Sequence, residues 1–149
     1  MTDLITTDAT FNAENTEIIT LLLGLMIPQQ GDMPSASDSA IVKKCLEGLT
    51  SSKSLVVDAV RFIKDQTDSF AGLDESQQAK LIERLKSEKA DFIAEFQFNA
   101  AASYYSDTRV LTVLGLEGRA PHPGGYVAPE TDWGLLAPVT ERGSIYRRV

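Results

Sequence analysis

The stretch EKADFIAEFQFNAAASYYSDTRVLTVLG, residues 88–115, decides how the rest of this chain is read. Phe92, Ile93, Phe96, Ala100 and Tyr104 recur at about one helical turn, the period of one α-helical face and not the alternation of a half-buried strand. The spacing predicts a helix running to Tyr105, either free-standing or as a prolongation of the helix before it. Asp107 can cap a short helix through Val110, Leu111 and Leu114, because a short side-chain oxygen accepts from the amides that the first turn leaves unpaired. Gly115 then suits the left-handed residue that ends such a helix. Adjacent tyrosines on a helix point in different directions. One of Tyr104 and Tyr105 is therefore expected in the core, with the other free to meet the C-terminal arm or a partner.

Working towards the N-terminus, the same period repeats. Asp74 with Gln77 three positions on has the form of a capping box, opening a helix that turns Leu81, Ile82 and Leu85 inward. Leu55, Val56, Ala59, Val60, Phe62 and Ile63 predict a helix over about 53–66, despite the β-branched valines. A Thr50-Ser51-Ser52 break separates it from a helix capped by Ser37 and facing inward through Ile41, Val42, Cys45, Leu46 and Leu49. Asn12 caps the first helix, with Glu14 and Glu17 in its first turn, and Pro28 stops it. Apolar residues at 18, 19, 21–23 and 25–27 cover most of its circumference, so this helix is expected at the centre of the bundle.

Working towards the C-terminus, the composition changes near Gly115. Residues 1–114 hold four of the ten glycines and two of the six prolines, and the last 35 residues hold the rest. Pro121, Pro123, Gly124, Gly125, Pro129 and Pro138 are too closely spaced for a long helix or a central strand. Yet Tyr126, Val127, Trp133, Leu135, Leu136, Val139, Ile145 and Tyr146 carry much apolar area, and each large side chain is worth roughly 1.5–3 kcal/mol when buried. The expected fold is all-α: one domain, 1–149, with a compact body of about five to six helices over 1–114 and an irregular Pro/Gly-rich arm over 115–149 packed on it.

Composition narrows the function classes. The 149 residues carry 21 acidic against 14 basic side chains, a formal charge of −7, which repels phosphate backbones and anionic lipid, so no nucleic-acid partner is expected. The longest apolar run, Ile18–Ile27, is about half of the roughly 20 residues needed to cross a bilayer, and no membrane insertion is expected. No Lys or Arg precedes Lys43, so neither a secretion signal nor a twin-arginine leader is read, and the cytoplasm is the expected location. The periplasm would be reached only if a partner carried the chain or a leader had been removed.

Chemistry-bearing residues are sparse. One histidine, His122, and one cysteine, Cys45, do not supply the converging ligands of an internal metal site, so none is expected. Cys45 on an apolar helical face reads as a small buried hydrophobe. His122 lies between two prolines with no evident proton partner. The Gly124-Gly125 pair lacks the strand and the Lys-Ser/Thr of a phosphate loop and reads as a turn. Trp133 is the single tryptophan; it either anchors a partner or pins the arm onto its own helices.

The order of several short motifs resembles a known family. They are Met26-Ile27-Pro28, Gly31-Asp32-Met33-Pro34, a helix with Ile41 and Leu46, Phe70 and Leu73, and Gln77-Gln78-Ala79-Lys80-Leu81. Phe92, Tyr104-Tyr105-Ser106-Asp107, Leu114-Gly115, Pro121-His122-Pro123-Gly124-Gly125-Tyr126 and Asp132-Trp133 continue the series. Over roughly residues 11–135 the chain resembles the gluconate 2-dehydrogenase subunit 3 family. The resemblance implies a small accessory or maturation subunit, not itself an enzyme, beside a flavin-dependent sugar or alcohol dehydrogenase. The flavin then belongs to the catalytic subunit, and this chain holds no cofactor. The twin-arginine export signal of the best-known members has no counterpart here, since Arg147-Arg148 closes the chain instead of opening it. The residues expected to meet a partner are Tyr104, Tyr105, Pro121, His122, Pro123, Tyr126, Trp133 and Tyr146. Two other readings stand beside this one. One is a self-associating structural or ligand-binding module. The other is a small enzyme using Tyr104 or Tyr105, His122 and a helix carboxylate under the arm.

Overall fold

The structure is a computed structural model and describes residues 11–118, 125 and 130–143. It is all-α, and among the described residues there is no β-strand, only an isolated bridge between Gln30 and Met33. The chain forms two compact units, Met1–Gly118 and Arg119–Val149.

The first unit contains α1 (Ala13–Met26), α2 (Ser39–Gly48), α3 (Lys53–Lys64), α4 (Glu75–Glu88), α5 (Ala90–Tyr105) and α6 (Thr108–Val113), with a 3-10 turn, Leu49–Ser52, joining α2 to α3. Local chemistry sets most boundaries. Asn12 Oδ1 accepts from the Asn15 amide at 2.9 Å. α4 opens with the reciprocal capping box: the Gln77 amide donates to Asp74 Oδ1 at 2.8 Å, and the Asp74 amide donates to Gln77 Oε1 at 3.1 Å. At the end of α6 the Gly115 amide donates to Thr112 O and the Leu116 amide to Leu111 O, with Gly115 at φ +73°. That pair of bonds is the Schellman closure, which needs a residue that tolerates the left-handed region.

Two expectations are corrected. Asp38, not Ser37, caps α2: its Oδ1 accepts from the Ala40 amide at 3.0 Å. The Ser37 hydroxyl instead lies 2.8 Å from that of Ser35 within the preceding loop. α1 is not the central helix; α5 is, packing against α2, α3, α4, α6 and the 3-10 turn. α1 buries Ile18, Ile19, Leu22 and Leu23, while Leu25 and Met26 stay 47% and 39% exposed. An apolar circumference therefore did not mean a covered one.

The sequence left the relation of α4 to α5 open, and the structure resolves it as two helices. Lys89 breaks the run at φ −129°, ψ 47°. Its ammonium bonds Asp58 at 2.6 Å and lies 5.8 Å from the centre of the Phe62 ring, tying the break to α3. Phe92, Phe96, Ala100 and Tyr104 then form the buried stripe of α5, against Ile41, Cys45, Leu49, Val56 and Ile63 among others. Gly48 lets α2 come close, because a Cβ there would sit 2.1 Å from Oδ1 of Asn99.

The second unit contains, among its described residues, a 3-10 turn, Trp133–Leu136, continued by α7, Ala137–Arg142. Asp132 caps it by accepting from the Gly134 amide at 2.9 Å. Pro138 sits in the first turn, where its missing N–H costs nothing.

Candidate functional site

The end of α5 separates the two tyrosines. Tyr104 is 2% exposed and its hydroxyl donates to the Pro34 carbonyl at 2.9 Å, across 70 residues of sequence. Desolvation raises its pKa. Tyr104 is thus the core tyrosine and offers no surface to a partner. Tyr105 is 55% exposed and stands edge-on to Tyr104, centroids 5.3 Å apart at 90°.

Just beyond them Arg109 joins two helix caps. Its Nη1 and Nη2 donate to Oδ2 and Oδ1 of Asp38 at 2.9 and 2.8 Å. Its Nε and Nη2 donate to Oδ1 and Oδ2 of Asp107 at 3.0 and 2.9 Å. Asp38 caps α2, and Asp107 caps α6 by accepting from the Arg109 amide. Hydrogen bonding to the guanidinium, with help from the capped amides, holds Asp38 down to about 2 and lowers Asp107. The same bonds raise Arg109 above its ordinary value. Every part of this cluster satisfies another part, so its role is to fasten α6 to the start of α2.

The outward face of α5 differs from the charged exteriors of α3 and α4. Ala94, Phe98, Ala102 and Tyr105 are exposed and Ala101 is half-buried, with Phe98 at 72%. The sequence reading did not select Phe98. Its signal was present: Phe98 lies about 200° around the helix from Phe96, outside the inward stripe.

Several grooves open on the first unit, and two of them are mostly apolar. One, of about 210 Å³, lies between α1, α4 and α5 and is lined by Leu22, Leu25, Met26, Ile82, Leu85, Ile93 and Phe96, with Lys86 and Gln97. The other, of about 650 Å³, is a broad trough between α1 and α2 beside Val42 and Leu46. Cys45 is fully buried, and desolvation pushes its thiol up to about 11. Among the described residues no group of three or more His, Cys, Asp or Glu is placed to hold a metal.

In the second unit Trp133 is 72% exposed, with Leu135 at 75%, Leu136 at 49% and Val139 at 55%. Pro121, His122, Pro123, Tyr126 and Tyr146 lie outside the described residues. Of the eight residues expected at a partner contact, Tyr105 and Trp133 are exposed, Tyr104 is in the core, and the other five have no described position. No described helix is long and apolar enough to cross a membrane. No family model, curated protein or solved structure matches the chain.

Proposed function

We propose that this chain is a non-catalytic accessory or maturation subunit that binds a flavin-dependent sugar or alcohol dehydrogenase through its C-terminal unit. The observation that carries the reading is the exposure of four large apolar side chains, Trp133, Leu135, Leu136 and Val139, within seven successive residues. A tryptophan beside aliphatic side chains is the composition of an interface anchor, because a large rigid ring releases much hydration on docking at little entropic cost. The motif resemblance around Asp132-Trp133 supplies the class of partner. The flavin resides in that partner, this chain contributes apolar contact, and the pair assembles in the cytoplasm.

The test is affinity capture of the tagged chain from cells that express it at native levels. A yellow, flavin-absorbing complex should co-elute, and Trp133→Ser should reduce its yield while the variant stays folded. Elution of the chain without the flavoprotein, at native expression levels, would remove this function.

A further inference from the structure

We propose that the outward face of α5 is a self-pairing surface, on which a second copy of this chain docks its own α5 in antiparallel orientation. The inference goes beyond the accessory-subunit reading and uses the other unit of the molecule.

The face has a definite pattern. Ala94, Phe98, Ala101 and Tyr105 are spaced four, three and four residues apart, the spacing of a coiled-coil seam. Large and small side chains alternate along it. Turned over about a two-fold axis between Phe98 and Ala101, the face meets itself with Phe98 opposite Ala101 of the second copy, and Tyr105 opposite Ala94 of the second copy. Each ring meets a methyl-sized hollow, which is the condition for an isologous contact in which every pairing occurs twice. A parallel arrangement would set ring against ring and alanine against alanine, leaving voids beside clashes.

Charge permits the same occupant at this face alone. The body carries 17 acidic against 10 basic side chains, so two copies repel each other over most of their surface. Between Phe92 and Ser106 the only charged residue is Glu95. In the antiparallel register Glu95 flanks Ala102 of the second copy, so no carboxylate meets a carboxylate. Asp91 and Ser106 bound the stripe at its ends.

The size of the face sets the strength. Residues 94–105 span about 16 Å of helix, and one such face per copy falls short of the roughly 800 Å² that each partner of a standard stable interface buries. The pairing is therefore weak and depends on concentration.

Sedimentation of the full chain from roughly micromolar to roughly millimolar concentration, where contacts of about 4–8 kcal/mol become visible, should show monomer passing to dimer. Phe98→Asp should abolish the dimer with an unchanged far-UV circular dichroism spectrum, since that side chain is 72% exposed. Trp133→Ser should leave it in place. Orientation is read by disulfide trapping, with Cys45 buried and silent. An oxidised mixture of Ala94→Cys and Tyr105→Cys proteins should cross-link, while either protein alone should not, its two thiols lying about 16 Å apart along the seam. A monomer at every concentration, a dimer that survives Phe98→Asp, or self-cross-linking of either single variant would each overturn the proposal. Flavoprotein capture that persists in Phe98→Asp keeps the two inferences separate.

Discussion

The described residues of the two units differ in how much of their apolar area they bury. In the first, Ile19, Leu23, Ile41, Leu49, Val56 and Val110 are wholly buried. In the second, every described residue of the Trp133–Leu136 turn and of α7 is exposed, its apolar ones included. The contrast follows from how each segment is built. Six helices can interdigitate their stripes and remove them from water together. Among the described residues of the second unit, a single turn and a six-residue helix do not cover one another. Apolar content alone therefore says that a segment has something to cover, and only the arrangement of neighbours says whether this chain covers it.

The largest effect that could break this comparison is expected in the body. Phe92→Ala, emptying a position that is 2% exposed between the helices, should cost about 3–5 kcal/mol in denaturant unfolding. Trp133→Ser removes a larger side chain and should change unfolding by no more than about 0.5 kcal/mol. Equal losses at the two positions would mean that the arm, too, is part of the folding unit.

The Arg109 clamp provides the next effect. Asp107→Ala removes the cap of α6 and one side of the clamp together, and should cost about 1–2 kcal/mol. Both carboxyls are more acidic folded than unfolded, so their contribution is complete above the ordinary aspartate value of 3.8 and is lost as pH falls towards the value of about 2 at which Asp38 is held. Acid titration of the melting temperature should therefore fall more steeply through that window in the native chain than in the double variant Asp38→Ala, Asp107→Ala.

The smallest effect separates the two adjacent tyrosines. Tyr104→Phe leaves the Pro34 carbonyl without its 2.9 Å donor and should cost about 1 kcal/mol. Tyr105→Phe should be silent in the same measurement, because its ring is 55% exposed. A reversed order would mean that the inward and outward assignments of this pair are exchanged in solution.

Much of the helical plan was legible because its determinants lie within one turn of one another. Asn12, Asp74 with Gln77, Asp107 and Gly115 each act on amides or carbonyls a few residues away, and the inward stripes of α2 to α5 follow from the 3.6-residue period alone. Ser37 was misread because two adjacent residues could both cap, and a distant arginine distinguishes Asp38 from its neighbour. α1 was misplaced because a helix apolar over most of its circumference carries little mark of which side its neighbours take. Of the candidate site, Tyr105 and Trp133 were legible as aromatic residues that a partner could use. Phe98 was not, because its significance lies in being off the stripe that the same helix buries.

The amino-acid sequence by itself determined an all-helical body, its caps and stops, and a compositional break near Gly115, since these depend on backbone chemistry that is complete within a few consecutive residues. Which tyrosine is sealed, which of Ser37 and Asp38 caps α2 and which helix lies at the centre were decided only by the tertiary structure. The bonds that settle the first two, Tyr104 to Pro34 and Arg109 to Asp38, span 70 and 71 residues. A contact at that separation exists only once the chain has brought its helices together, so no local pattern can carry it.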